Sequence, residues 1–439
     1  MKIPAIPGFG QASFEKYLKN TGWLMMGKIF SMLVGFIIAR YLGPGSFGDL
    51  SFAESFTFIF AAVSTLGLDS FIVREILNEP EHRDEILGTA FWMRAAVSLL
   101  IVPLPILIYS LYHNASTTPG TSLTLIIALL SAVSLFRSFN VIDSYFQSQI
   151  YSKPVVQVQN ICLLISSIVK IGLIYYQMPV LYFAMALLFD SIILAIGLSI
   201  IYHKKNLHFS NWTFNWLRAK SLLNQSWPLI ITAVMISIYM KIDAVMLKQL
   251  GSEEVGIYSA AAKISESWYF IPVAIVTSVF PAIIQARRDD LFRYQKRLQN
   301  LYDLLVGISL PVAFFVSFFA NDIIHLFYGH KFEGAGPMLT IHIWSGIFVF
   351  LGSASSQYLL AEGFTYIAFI RTSVGALINV ALNIWLIPLY GGVGASIATL
   401  IAYIFATFSL LFIGRTRKQG ILMLKSLFLI SLIQKFPRK

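Results

Sequence analysis

Charge is what this 439-residue sequence has least of: Asp, Glu, Lys and Arg together make up 12% of it, against roughly 25% in soluble domains. That shortage excludes an ordinary soluble globular chain. Cysteine is nearly absent as well. The single Cys162 lies in an apolar run, so no intrachain disulfide can form. Chemistry-bearing motifs are missing too: there is no Gly-rich phosphate loop ending in Lys-Ser/Thr, no His-Glu-x-x-His and no cysteine cluster. Neither a catalytic grouping nor a metal or cofactor site is therefore expected. Asp289-Asp290 comes nearest to a metal-binding pair, but it sits in a basic run and reads as solvated charge. A signal peptide is not expected either, because residues 1–20 carry Pro4, Pro7 and Glu15 and no continuous apolar core.

What the sequence has is apolar length. Hydrophobic residues make up 57% of the chain and aromatics 15%, and the mean hydropathy is +0.73. Runs long enough to span a bilayer fall at 20–41, 48–68, 89–111, 122–142, 155–176, 180–202, 227–249, 258–284, 300–320, 338–361, 365–388 and 392–414, each near the roughly 17–25 residues a spanning helix needs. They must be helices, since backbone groups in lipid need partners within their own segment and no alternating pattern suggests a barrel. The expected fold is an all-α polytopic membrane protein of about twelve spans in two six-helix lobes.

The connections alternate in charge. Those on one side, from Lys2, Lys16 and Lys19 to the tail, hold 22 of the 32 basic residues, and the opposite ones contribute Lys331 and almost nothing else. Basic loops stay in the cytoplasm, which places both termini inside. The net charge of +11 is largely this topology signal, and a nucleic-acid partner is not needed to explain it. The sequence divides into a cytoplasmic segment 1–19, an N-lobe 20–202, a cytoplasmic linker 203–226, a C-lobe 227–414 and a basic tail 415–439. The linker mixes Trp212, Phe214, Trp216 and Leu217 with Lys204, Lys205, Arg218 and Lys220, which suits a helix lying on the inner membrane surface. The tail run 421–433 contains Lys425 and is short for a crossing; it reads as interfacial, with a thirteenth span as the alternative.

One segment repeats. Arg40-Tyr41-Leu42-Gly43 through Phe47-Gly48 to Ser51-Phe52-Ala53 returns in outline as Lys248-Gln249-Leu250-Gly251 through Val255-Gly256 to Ser259-Ala260-Ala261, in register from Gly43 to Gly251. Pro179 and Pro388 repeat at nearly the same offset. An even number of spans separates the copies, so the halves face the same way, as a parallel repeat does in a two-lobed transporter.

The run Ile242-Asp243-Ala244-Val245-Met246-Leu247, then Val255-Gly256-Ile257-Tyr258-Ser259-Ala260-Ala261-Ala262-Lys263, then Trp268, Ile271-Pro272 and Phe280-Pro281, resembles the polysaccharide-exporter flippases of the multidrug/oligosaccharidyl-lipid/polysaccharide exporter superfamily. So do Ala39-Arg40-Tyr41-Leu42-Gly43-Pro44 with Phe47-Gly48, and Leu66-Gly67-Leu68. The likeness runs over about residues 15–415. It implies an inner-membrane protein that flips an undecaprenyl-pyrophosphate-linked sugar repeat unit for O-antigen, capsule or exopolysaccharide. Membrane lipids would be its surroundings, with a polymerase and chain-length proteins of the same pathway as partners. The alternatives are a drug/cation antiporter of the same superfamily and a membrane polymerase or ligase. The polymerase would need a sizeable outer loop, and the longest here is about 321–337.

Ionisable residues inside the spans are the candidate site, since a charge at the bilayer centre costs about 2.5–3.5 kcal/mol on insertion scales and tends to face a wet interior. Lys28, Arg40, Arg94, Arg137, Lys170, Lys241, Lys248 and Arg371 would line a cationic cavity suited to a pyrophosphate. Arg40, Lys248, Arg94 and Arg137 can alternatively snorkel to headgroups. Ion coupling, if it runs through a carboxylate, has Asp190, Glu54, Asp243 and Glu266 as candidates. Lys263 and Glu266, three apart, can neutralise one another. The span prolines Pro103, Pro105, Pro228, Pro272 and Pro311 offer bending points, or static kinks.

Overall fold

The computed structural model describes residues 11–113 and 121–433, and no strand occurs among them. The helices are α1 (Gln11–Ser64), α2 (Asp69–Asn78), α3 (Arg83–Ile101), α4 (Pro103–His113), α5 (Thr121–Arg137), α6 (Val141–Ser148), α7 (Lys153–Tyr175), α8 (Val180–His203) and α9 (Trp216–Leu247). They continue as α10 (Ser252–Glu266), α11 (Phe270–Asp289), α12 (Leu291–Phe318), α13 (Ala320–Tyr328), α14 (Ala335–His342), α15 (Ser345–Ala361), α16 (Thr365–Phe408), α17 (Arg417–Leu427) and α18 (Ile430–Ile433).

Nine stretches of the described residues are long and apolar enough to cross a membrane. Two of them, of 50 and 48 residues, are broken at Gly43 and Gly391 and make two spans each. The twelfth span is α10 with α11, whose apolar run is interrupted by Lys263 and Glu266 and by the break at residues 267–269. The chain is a multi-pass, all-helical membrane protein. Lipid-facing positions are correspondingly apolar: Leu100, Leu111, Ile168, Phe318, Leu377 and Trp385 are all exposed. Several buried hydroxyls are satisfied within their own helices, as where Thr57 donates to the Ala53 carbonyl, Ser131 to Ile127 and Ser167 to Leu163.

The repeated turn has one backbone conformation in both copies. Gly43 has φ 71° and ψ 169°, and Gly251 has φ 115° and ψ 165°. Side chains other than hydrogen rarely tolerate such positive φ. Pro44, with no N–H to lose, starts the helix beyond the first turn, and Ser252 starts it beyond the second.

By contact the chain forms two compact units, Lys19–Lys248 and the body Gln249–Lys439. The division lies after α9, which packs on α3 in the first unit; the sequence places a boundary in 203–226. The linker also differs from the surface helix expected. Residues 206–215 are turn and extended chain apart from one short turn, and α9 begins at Trp216. Asn215 caps it, its side chain accepting from the N–H groups of Leu217 and Arg218. Trp212 turns inward onto Tyr202, its indole N–H donating to the Tyr202 hydroxyl at 2.9 Å. Phe209 stacks on the same ring, with centroids 5.5 Å apart. These aromatics join Leu68, Ile72, Ile86, Leu87, Val141 and Phe146 in the core of this unit. The linker stays down because it satisfies its polar groups there. The Asn215 N–H donates to Thr89, and Arg218 donates to Glu85 and Glu79, each at 2.7 Å.

In the second unit the tail helix α17 packs on α12. Buried Asp303 accepts from Gln299 at 3.0 Å, from Ser426 at 2.7 Å and from Ser431. Gln419, also buried, donates to the Tyr302 hydroxyl. Polar side chains thus decide where this tail goes, which a hydropathy reading cannot foresee.

Candidate functional site

The structure divides the candidate cations by what they touch. Arg94 on α3 is buried. Its Nε donates to the Thr65 carbonyl at 3.2 Å and its Nη2 to Asp69 at 2.8 Å, which pins α3 to the turn between α1 and α2. Lys170 on α7 donates to Asp190 on α8 at 2.6 Å. Charge pairing across two spans lowers the cost of both groups in a low-dielectric setting. The other Asp190 oxygen is buried with no hydrogen bond. Lys248 donates to Asp49 at 2.6 Å and lies over the Phe52 ring at 5.4 Å, so two residues of the repeated turns meet within the first unit. Arg371 on α16 donates to the Ser355 and Ser356 hydroxyls of α15 and to the Gly352 carbonyl.

Arg40 is exposed near the end of the first span, and Arg137 is exposed at the end of α5, where it interacts electrostatically with Glu54. Lys241 is half-buried on α9, and Asp243, two residues on, is buried. Two residues separate side chains by about 200° around a helix. Glu266 is half-buried at the end of α10. Lys28 falls on a side chain outside the described residues, although its backbone continues α1. Of the prolines, Pro228 and Pro311 lie inside continuous helices, whereas Pro103 opens α4 after a break and Pro272 lies in the first turn of α11.

Charge-based reading of the sequence passes over one buried group inside the spans. The Asn383 amide donates to Asn379 at 3.2 Å, and the Asn379 amide donates to Thr399 at 3.3 Å, with all three residues buried. Carboxamides cost less than charges in an apolar run, so they leave little mark on a hydropathy profile. The signal available was their spacing: Asn379 and Asn383, four apart, share one helix face.

Outside the spans, Glu79 stands beside Arg218, whose hydrogen bond and charge hold the carboxyl below its usual range, with His82 adding to the effect against a smaller opposing cost of burial. Arg218 bridges Glu75, Glu79 and Glu85 together.

Residues 37–337 match the family described as polysaccharide biosynthesis protein. The chain belongs to that family. Two relatives come from Haloferax volcanii. The "probable low-salt glycan biosynthesis flippase Agl15" is 24% identical over 191 residues, 42% of this chain and 40% of the relative. The "probable flippase AglR" is 24% identical over 253 residues, 54% of this chain and 50% of the relative. The chain therefore spans about half or less of the length of the curated relatives it matches.

Among solved structures, the lipid II flippase MurJ in an inward closed conformation superposes with a TM-score of 0.75 at 20% identity, covering 96% of this chain and 94% of that one. An inward-facing multidrug resistance MATE transporter of the MOP superfamily gives 0.73 at 16% identity, covering 93% and 96%. A MOP superfamily transporter from Pyrococcus furiosus, described as having a binding pocket of reverse polarity, gives 0.61 at 16%, covering 96% and 97%. At these identities the likeness establishes the fold: twelve spans in two six-helix lobes.

Proposed function

We propose that the protein is a flippase that carries a lipid-linked oligosaccharide, in the undecaprenyl-pyrophosphate class, from the inner to the outer leaflet by alternating access. The observation that carries this reading is the family match over residues 37–337. The flippase names of the two Haloferax volcanii relatives support it. The expected substrate is polyanionic at its pyrophosphate, and cations outnumber carboxylates within the spans, which suits charge-assisted binding of phosphate oxygens. The glycan feeds a cell-surface polymer such as O-antigen, capsule or exopolysaccharide, with a polymerase and chain-length proteins acting downstream. The protein resides in the inner (plasma) membrane with both termini cytoplasmic, as the distribution of basic connections argues. It carries out no bond-breaking step.

Lys28 and Lys241 stand in the first span of each half, two spans that a parallel repeat relates to one another, and we assign both to the binding of the headgroup. Asp190, tied to Lys170 and with one oxygen left without a hydrogen bond, is the carboxylate at which ion coupling enters. A second reading, a drug/cation antiporter, is favoured by the likeness to the MATE transporter. It would be served by an acidic or apolar interior rather than a basic one.

The test is removal of charge. Lys28→Gln and Lys241→Gln keep much of the side-chain length. Each should abolish export of lipid-linked glycan at normal protein levels, and Arg at either position should retain more export than Gln. Normal export by the double Gln variant would reject the headgroup assignment. Efflux of organic cations without glycan export would favour the antiporter.

A further inference from the structure

The connection between α12 and α14 carries a grouping that the transport reading leaves unused. α13 ends at Tyr328, and Gly329 after it, with φ 79°, turns the chain. Behind the turn, His330 comes edge-on to His325, with ring centroids 4.5 Å apart. Glu333 then reaches both: its Oε1 lies 3.3 Å from His330 Nδ1 and 3.8 Å from His325 Nε2. One donor atom from each of the three residues falls within 4.8 Å of the others.

The turn that holds them is anchored from below. Tyr328 and Phe332 are buried, their rings 5.2 Å apart. The Gly329 N–H donates to the His325 carbonyl and the Glu333 N–H to the His330 carbonyl. Ligands on so fixed a backbone lose little freedom when they close on an ion. The side chains themselves remain accessible, His330 at 84% exposure.

We propose that His325, His330 and Glu333 form a binding site for a borderline divalent transition metal, with Zn(II) as its representative. The donor set decides the class. Two neutral imidazoles and a carboxylate suit Zn(II), Ni(II) or Cu(II), whereas Mg(II) and Ca(II) seek oxygen. The spacing agrees: tetrahedral Zn(II) with bonds of about 2.0–2.1 Å holds neighbouring donors about 3.4 Å apart. The Glu333–His330 separation already has that value, and surface rotamers can bring His325 in. Three protein ligands leave a fourth position for water or an incoming oxygen ligand. The site lies at the opposite end of the 28-residue α12 from Leu291, where the basic connection 287–297 begins that helix. A bound ion would clip α13 to the chain entering α14.

The test uses the full-length protein in detergent, stripped with EDTA. Zn(II) titrated against a fluorescent chelator should bind at one equivalent, and millimolar Mg(II) or Ca(II) should not compete. The His325→Ala/His330→Ala double variant should lose at least the roughly tenfold in affinity that removal of even an outer-shell partner costs, and Glu333→Gln should weaken binding as well. Because the three side chains are at the surface, the double variant should melt like the wild type without metal. Zn(II) should raise the melting temperature of the wild type alone. His203 and His208, a second histidine pair with rings 5.6 Å apart, serve as the control, and their replacement by Ala should leave the titration unchanged. Unchanged affinity in the His325/His330 variant, or loss of binding in the His203/His208 variant instead, would overturn the proposal.

Discussion

Asp69 should matter more than its position suggests. Its side chain is 64% exposed, while that of its partner Arg94 is only 4% exposed. Replacing Asp69 with Asn removes the charge that offsets a buried guanidinium and leaves Arg94 with the Thr65 carbonyl. Stranding a buried charge costs about 3–5 kcal/mol. Water reaches the Asp69 end of the pair and screens it, so the cost falls below that scale, to about 2 kcal/mol. Asp69 also stands in the first turn of α2, where a negative charge is worth a further ~0.3–1 kcal/mol. For a unit of the size of Lys19–Lys248, each kcal/mol moves the melting point by about 2–4 °C. The expected drop for Asp69→Asn is therefore about 5–12 °C. Thermal loss of the monodisperse peak in size-exclusion chromatography would measure it. Arg94→Met in the same chain should recover most of the loss, because the stranded charge goes with it. A melting point within 1 °C of the wild type, or a double variant worse than either single one, would refute the idea that this pair is a structural pin. A substrate-contacting Arg94 would instead show a transport defect with Asp69→Asn melting normally.

Two further outcomes concern the linker. The Glu79 carboxyl is held below its ordinary value of 4.5 by Arg218. Its contribution is complete above 4.5 and disappears as pH falls through the depressed value. Glu79→Gln should accordingly flatten the acid side of the melting profile and leave the neutral side offset; an unchanged acid limb would contradict the pairing. Gly88→Ala would place a Cβ 2.6 Å from the Thr213 carbonyl oxygen and 2.8 Å from its nitrogen. Since backbone cannot step aside cheaply, overpacking should cost about 1–3 kcal/mol and speed proteolysis within 203–215. Wild-type resistance there would mean that the linker is not held against α3.

The repeated turn was legible in the sequence because its chemistry is local: Gly43 and Gly251 sit where φ must be positive, so no other residue serves easily. The spans were legible because lipid demands unbroken apolar length. The partners of the cations were not. Arg94 meets Asp69 across 25 residues and Arg218 meets Glu79 across 139, and nothing in spacing or hydropathy pairs such positions. The linker misled for a related reason. Its tryptophans and lysines suit an interface helix, yet Trp212 found a buried hydroxyl on Tyr202 and Asn215 found a helix to cap. The Asn379–Asn383–Thr399 group stayed hidden because it carries no charge. The backbone at Lys28 could be placed from the sequence; its side chain lies outside the described residues.

The central claim is that the protein moves a lipid-linked glycan without altering it, and reconstitution tests that directly. Purified protein in liposomes, loaded on one leaflet with a pyrophosphate-linked oligosaccharide, should expose the glycan on the other leaflet to an impermeant glycosidase. Mass spectrometry should find the untreated glycan unchanged in length. Flipping no faster than in protein-free liposomes, or a glycan lengthened or shortened in the presence of protein, would contradict the account.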